Sequence, residues 1–318
     1  MLFKRPPLSA PSFSGHESFP LRYAWLKKGY DALEEEDNQV FSSESGMVEL
    51  GVGKNMVRAI RHWGLVAGMW EVIPQSRGKD LRPTRLGHSL MGATGWDPYM
   101  DELGTIWLLH WQLTKAPEGA TAWWYLFSRP RSDAFTKAEL ETELQEVADE
   151  AEGGRRIPSS TIQRDIDVLV RSYTRARAER GAWEEVLNSP LMALDLVSPV
   201  PGRKGAYVCP LGAQPTLPQG IFDAALVDFC GRTLKDGVRS FSFDKLLYDW
   251  GSPGRVFRLT ESALMERLHH TVIGWPEYFS FGETANLRQL MLRGETLPRF
   301  VEDMLTRHYA DANTEEAA

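Results

Sequence analysis

Two cysteines, Cys209 and Cys230, are all that 318 residues contain. Two are too few for a disulfide framework or a cysteine-ligated zinc site, and they make the cytoplasm the expected compartment. No run of 18 apolar residues occurs, so no membrane-spanning helix is expected. Behind Lys4 and Arg5 the chain lacks the apolar stretch of an ordinary secretory signal. An excess of positive charge is missing too. Lys and Arg number 36 against 43 Asp and Glu, a formal charge of −7, which argues against a polyanion binder that works by bulk charge. What is present is an ordinary globular composition, 42% hydrophobic and 25% charged. The length suits one large domain or two to three smaller ones.

The average charge hides blocks. Gly51 to Met91 holds seven basic and two acidic residues, Ala134 to Gly154 one and seven, and Arg155 to Arg180 seven and three. Such blocks give one protein a basic face and an acidic face, or equally three solvated helix surfaces.

Hydrophobic spacing divides the chain. Residues 1–13, with Pro6, Pro7 and Pro11, read as a flexible arm. Leu21, Trp25, Leu26, Tyr30 and Leu33 have helical spacing, with Ser18 a candidate cap and Pro20 in the first turn. A short helix over Ser43 to Leu50 is broken by Gly51 and Gly53. A second helix follows over Lys54 to Leu65, with Met56, Val57 and Ile60 inward and Lys54, Asn55, Arg58, Arg61 and His62 on the other face. The run MWEVI reads as a strand, PQSRGKD as a turn and LRP as its return, before a helix near Thr84. Helix, tight turn, helix, hairpin is the order of a winged helix-turn-helix, and residues 14–96 form that N-terminal domain.

Residues 97–130 form a helical, Trp-rich connector, in which ATAWWYLFS could be helix or strand. Residues 131–217 form a second helix-turn-helix-like domain with a Pro/Gly linker. Thr136 and Glu139 make a capping box there. The basic residues Arg164, Arg171 and Arg175 fall on its second helix or just beyond. Residues 218–318 form a C-terminal domain that reads either as plain helical or as another winged helix. SPGRVFRLT within it reads as turn and strand, and LPRFVEDMLTRHY as a helix with a frayed tail. The expected class is therefore mainly α with small β hairpins (α+β): multiple winged helix-turn-helix modules around a Trp-rich centre.

Catalytic motifs fail on inspection. GVGKN has Val48 where a phosphate loop needs glycine and Asn55 where it needs a hydroxyl. His16 and Glu17 do not extend to HExxH, and their best use is hydrogen bonding that closes the N-terminal segment onto a neighbour. Asp165 and Asp167 diverge on a helix, and no nucleophile has an evident base. Nucleic-acid contact has more support. Arg reaches guanine edges, Asn reaches adenine, and both Arg and Lys hold phosphates. Arg77 and Lys79 occupy the tip of the expected wing.

The segments FSGHESFPLRYAWLKKG and VELGVGKNMVRAIRHWG resemble the bacterial domain-of-unknown-function family 4007, from about Phe13 to near His308. The matching positions are Gly15, His16, Glu17, Gly51, Gly53, Lys54, Asn55, Arg58 and Trp63. The resemblance implies genes placed beside sulfurtransferase-like proteins in DNA-phosphorothioation or related phage-defence clusters, and it transfers no catalytic residue. The expected role is a non-catalytic, double-stranded-DNA-binding accessory or regulator of such a system. It would need no cofactor or metal and would have protein partners within the complex. A protein-assembly module holding a sulfurtransferase or ATPase is one alternative, and a nuclease or nucleotide-modifying enzyme the other.

Overall fold

The structure is a computed structural model that describes residues 4–8, 10–35, 38–43, 45–130, 133–151, 156–175, 189–234, 239–284, 287–293 and 297–316. It is mainly helical, with small sheets and hairpins. Two compact units divide it. The first comprises Pro7–Trp123 and Phe135–Val208, the second Met1–Pro6, Trp124–Ala134 and Cys209–Ala318.

The first unit opens with an extended segment in which Leu8 is buried and Ser12 exchanges two hydrogen bonds with Thr121. Helix α1 (Tyr23–Glu34) buries Trp25, Leu26, Tyr30 and Leu33. It starts after Pro20 rather than around it, and Arg22 caps it without a side-chain bond. The reason is local: Ser18 has a left-handed backbone, φ 72°, and a residue before proline is pushed out of the α region. Helix α2 (Gly46–Glu49) is short. Gly51, at φ 61°, turns the chain into α3 (Lys54–Val66). Strands β1 (Trp70–Val72) and β2 (Leu81–Pro83) pair antiparallel. Trp70 locks this hairpin to the helices. Its Nε1–H donates to the Arg61 carbonyl at 3.1 Å, and its ring lies where a Cβ on Gly64 or Gly29 would come within 1.8 or 2.5 Å. Thr84 caps α4 (Arg85–Met91) by accepting from the Gly87 N–H.

Helix α5 (Leu103–Thr114) is apolar nearly all round and is buried accordingly. Residues Thr121–Ser128 form helix α6, which decides between the two readings of ATAWWYLFS. Strand β3 (Ala134–Thr136) leads into α7 (Lys137–Asp149), where the Thr136–Glu139 capping box is formed in both directions. Helix α8 (Ser159–Tyr173) is followed by a 3-10 turn (Pro190–Leu194), β4 (Ser198–Pro199) and β5 (Ala206–Val208). The strand order is β3-β5-β4.

In the second unit, α9 (Gln219–Thr233) precedes β6 (Ser240–Ser242), α10 (Phe243–Tyr248), α11 (Pro253–Val256), α12 (Glu261–Gly274), β7 (Phe279–Thr284), β8 (Leu287–Leu292) and α13 (Leu297–Glu316). Its strand order is β6-β8-β7. Asp223 on α9 is buried and accepts hydrogen bonds from Gln219, Thr271 and Trp275, tying α9 to α12. The expected strand in SPGRVFRLT is instead α11. Proline at a first helical position and the Ser252 cap favour a helical turn there. The tail of α13 continues through Ala310 to Glu316.

Candidate nucleic-acid interface

Helix α3 separates its side chains cleanly. Val57, Ile60 and Trp63 are buried, whereas Lys54, Asn55 and Arg58 are exposed. Arg61 and His62, one further turn along, are half-buried. Arg61 donates from Nη2 to the Gly78 carbonyl at 2.8 Å, and burial lowers the pKa of its guanidinium. It thereby ties α3 to the β1–β2 loop, on which Arg77 and Lys79 are exposed. The His62 ring lies against Gly15, where a Cβ would stand 2.3 Å from Nδ1. Burial, aided by His16 and Arg61, pushes the His62 pKa down to about 3. At neutral pH this imidazole brings no charge to a phosphate.

The segment Ser14–Ser18 is a tight turn, closed by Glu17 N–H to Ser14 O at 3.2 Å and followed by Phe19 N–H to His16 O at 2.9 Å. Three of its residues, Ser14, Glu17 and Ser18, have φ of 69°, 49° and 72°. Left-handed backbone costs a non-glycine residue roughly 1–2 kcal/mol, so the turn persists only because its neighbours hold it. His16 is 1% exposed. Its Nδ1 accepts from the Ser18 N–H at 3.2 Å, and the ring's other nitrogen is Nε2. That atom lies 3.2 Å from Asp165 Oδ1, close in distance but off the angle of a hydrogen bond. The same oxygen accepts the Ser14 N–H at 2.7 Å. The His16 ring stacks on Trp63 and meets Trp123 edge-on, and Trp63 Nε1–H donates to the Phe19 carbonyl at 3.0 Å.

Both basic helices therefore grip one turn. From α3, Arg58 Nη1 reaches Glu17 Oε1 at 3.3 Å. From α8, Arg164 donates to Ser14 Oγ at 3.3 Å and Arg171 to the Ser18 carbonyl at 2.7 Å. Arg175, just beyond α8, is exposed. Gly51 and Gly53 flank open space. Asp165, which the sequence offers only as a diverging neighbour of Asp167, is the residue whose role was missed. Its signal was its position: it sits on the inner stripe of α8 beside Ile162, Ile166 and Leu169, and a carboxylate there needs a partner. Among the described residues no group of three or more His, Cys, Asp or Glu side chains is placed to hold a metal ion.

Comparison with known proteins gives a consistent picture. The model of a family described as protein of unknown function (DUF4007) matches residues 13–309. The crystal structure of magnesium-ion-bound SspB is similar at 29% identity and a TM-score of 0.84, over 94% of this chain and 88% of that one. A second SspB crystal structure is similar at 28% identity and a TM-score of 0.82, with the same coverage. No curated protein matches the chain.

Proposed function

The chain belongs to the DUF4007 family, and from that membership we propose that it is a non-catalytic accessory protein of a DNA-modification and anti-phage system, acting by contact with double-stranded DNA. Membership brings with it the association with phosphorothioation and phage-defence gene clusters, and the likeness to SspB over most of both chains supports the same role. The order of elements supports three winged helix-turn-helix modules. Helix pairs followed by hairpins recur, and the strand orders β3-β5-β4 and β6-β8-β7 follow one plan in blocks without sequence repetition. In this reading the modules occupy residues 14–96, 131–217 and 218–318, residues 97–130 connect them, and 1–13 form an arm. The partners are duplex DNA and other proteins of the complex, in the cytoplasm. Among the described residues no helix is long and apolar enough to cross a membrane.

The observation that carries the DNA assignment is the outward face of Lys54, Asn55 and Arg58 over the buried Val57, Ile60 and Trp63. The Glu17 contact holds Arg58 only weakly, because the pair is solvent-accessible and made at 3.3 Å, so a phosphate can displace it. Binding through such a face weakens steeply with salt, with a slope of about 0.9 per phosphate contact. Changing Lys54 and Arg58 together to alanine is expected to lower duplex affinity at low salt and to reduce that slope by about 1.8. Unchanged affinity would refute the assignment. Conversion of supercoiled plasmid to nicked circles by the pure protein with magnesium would refute the non-catalytic role.

A further inference from the structure

We propose that α3 and α8 present one continuous phosphate-binding surface, bridged by the Ser14–Ser18 turn, and that Glu17 occupies Arg58 when DNA is absent. This rests on the DNA reading above and extends its site from one helix to two. The two basic blocks lie about a hundred residues apart in sequence and look like separate modules. In the fold their guanidinium groups converge on five consecutive residues: Arg58 on Glu17, Arg164 on Ser14 and Arg171 on Ser18. Five residues of chain extend at most about 18 Å. One strand of duplex carries a phosphate charge every 3.4 Å or so of helix axis, so the contacted groups fit within the length of a few successive phosphates.

Each arginine keeps donors in reserve. A guanidinium has five N–H groups, and Arg58, Arg164 and Arg171 are all exposed. Three acidic groups near this surface already have partners, one of them Glu141, which accepts from Ser159 and Gln163 of α8 at 2.6 and 2.8 Å. Glu17 lies against Arg58, and the exposed Asp167 pairs with Lys137 at 2.6 Å. The left-handed backbone at Ser14, Glu17 and Ser18 gives the turn its shape, presenting the Glu17 side chain to Arg58 and the Ser18 carbonyl to Arg171. Phosphate and Glu17 compete for one guanidinium, so part of the binding energy is withheld until DNA displaces the carboxylate. Among the described residues, helix α12 of the second unit does not share this pattern. Helix α12 exposes Glu261 and Glu266, and its Arg267 is turned onto the carbonyls of Gln214 and Leu217.

The test is the salt dependence of duplex binding by the full chain, followed by fluorescence anisotropy of a labelled oligonucleotide. Arg164→Gln with Arg171→Gln is expected to weaken binding and to lower the slope by about 1.8, with one duplex still bound per chain. Combined with Lys54→Ala and Arg58→Ala, the loss reaches about 3.6. Arg164→Lys with Arg171→Lys should keep the slope, and matching denaturant midpoints show that the fold is intact. Glu17→Gln should tighten binding several-fold at low salt. If the α3 changes reduce the slope while the glutamine pair on α8 leaves affinity and slope at wild-type values, DNA contact by α3 stands and the shared surface is overturned. If neither set changes binding, both readings fall. Unaltered or weaker binding by Glu17→Gln overturns the competitor role.

Discussion

Asp165→Ala should detach the Ser14–Ser18 turn from α8 and destabilise the first unit by about 3–4 kcal/mol. The magnitude follows from what the carboxylate does. Asp165 is 2% exposed, accepts the Ser14 N–H at 2.7 Å and stands 3.2 Å from His16 Nε2. A hydrogen bond to a charged group contributes about 1.5–3 kcal/mol, and a buried donor left unmade costs about 1–3 kcal/mol. The alanine removes the first and leaves the half-buried Ser14 N–H without its acceptor, whereas His16 Nε2, which makes no hydrogen bond to Asp165, adds nothing to the sum. Asp165→Asn keeps an acceptor oxygen near Ser14 and gives up only the charge, so it should cost about 1–2 kcal/mol. The measurement is hydrogen exchange along a urea series, read on peptides from α1 and α3 so that the second unit does not contribute. A loss below about 1 kcal/mol for the alanine would refute the assignment of Asp165 as the anchor of the turn. So would an asparagine variant as damaged as the alanine one. Proteolysis gives an independent readout, since a released turn of strained residues should be cut between Ser14 and Ser18 at protease levels the wild type survives.

Two further outcomes are expected. Acid should act on the two units with opposite signs. His62 is held neutral at a pKa of about 3, against roughly 6.5 when unfolded. The unfolded chain therefore takes up the proton first, and the first unit loses stability, about 3 kcal/mol after allowance for solvent screening, as pH falls from 6.5 towards 3. Asp223 is raised to about 6 by burial, against the lowering pull of its hydrogen bonds and Arg267. The folded form binds that proton first, so its contribution of about 3 kcal/mol to the second unit is present near pH 4 and lost as pH rises through 6. Unfolding of His62→Gln and Asp223→Asn against wild type at pH 4, 5, 6 and 7.5 checks both, and parallel curves would contradict the argument. Gly64→Ala should cost about 3 kcal/mol or more and shift Trp emission, because the added methyl would overlap the Trp70 ring at 1.8 Å. A neutral result would mean that Trp70 is free to move.

Helical periodicity made most of the helices legible, together with their caps. The Thr84, Thr136 and Ser242 caps and the bounds of α9 are all visible in the residue order, because a cap is a local bond spanning three residues. Strands β3 and β6 were not legible. Each has three residues, too few for a period of two to register. The β7–β8 hairpin carried a signal that was left unread, since Phe279 and Phe281 alternate on one strand and Leu290 and Leu292 on the other. The pairing of His16 with Asp165 could not be read at all, because nothing local joins positions 149 residues apart, and only the placing of a carboxylate on an apolar stripe hinted that a partner existed.

The candidate interface shows where helical-wheel reasoning stops. Lys54, Arg58, Arg61 and His62 recur at steps of three and four, or adjacent to such a step, so a wheel assigns them to one outward face. In the fold the first two are open, while Arg61 is captured by the Gly78 carbonyl and His62 is covered by Gly15. The difference comes from elements remote in sequence that roof only the C-terminal half of α3. Exposure of the N-terminal half alone suits groove contact, since helix-turn-helix recognition helices read base edges with their N-terminal residues. It follows that Arg61→Ala should loosen the β1–β2 loop and affect duplex affinity only indirectly, whereas Arg58→Ala should leave stability unchanged and reduce binding. Measuring both quantities for both variants separates the two roles, and equal loss of affinity at wild-type stability for Arg61→Ala would return that residue to the contact surface.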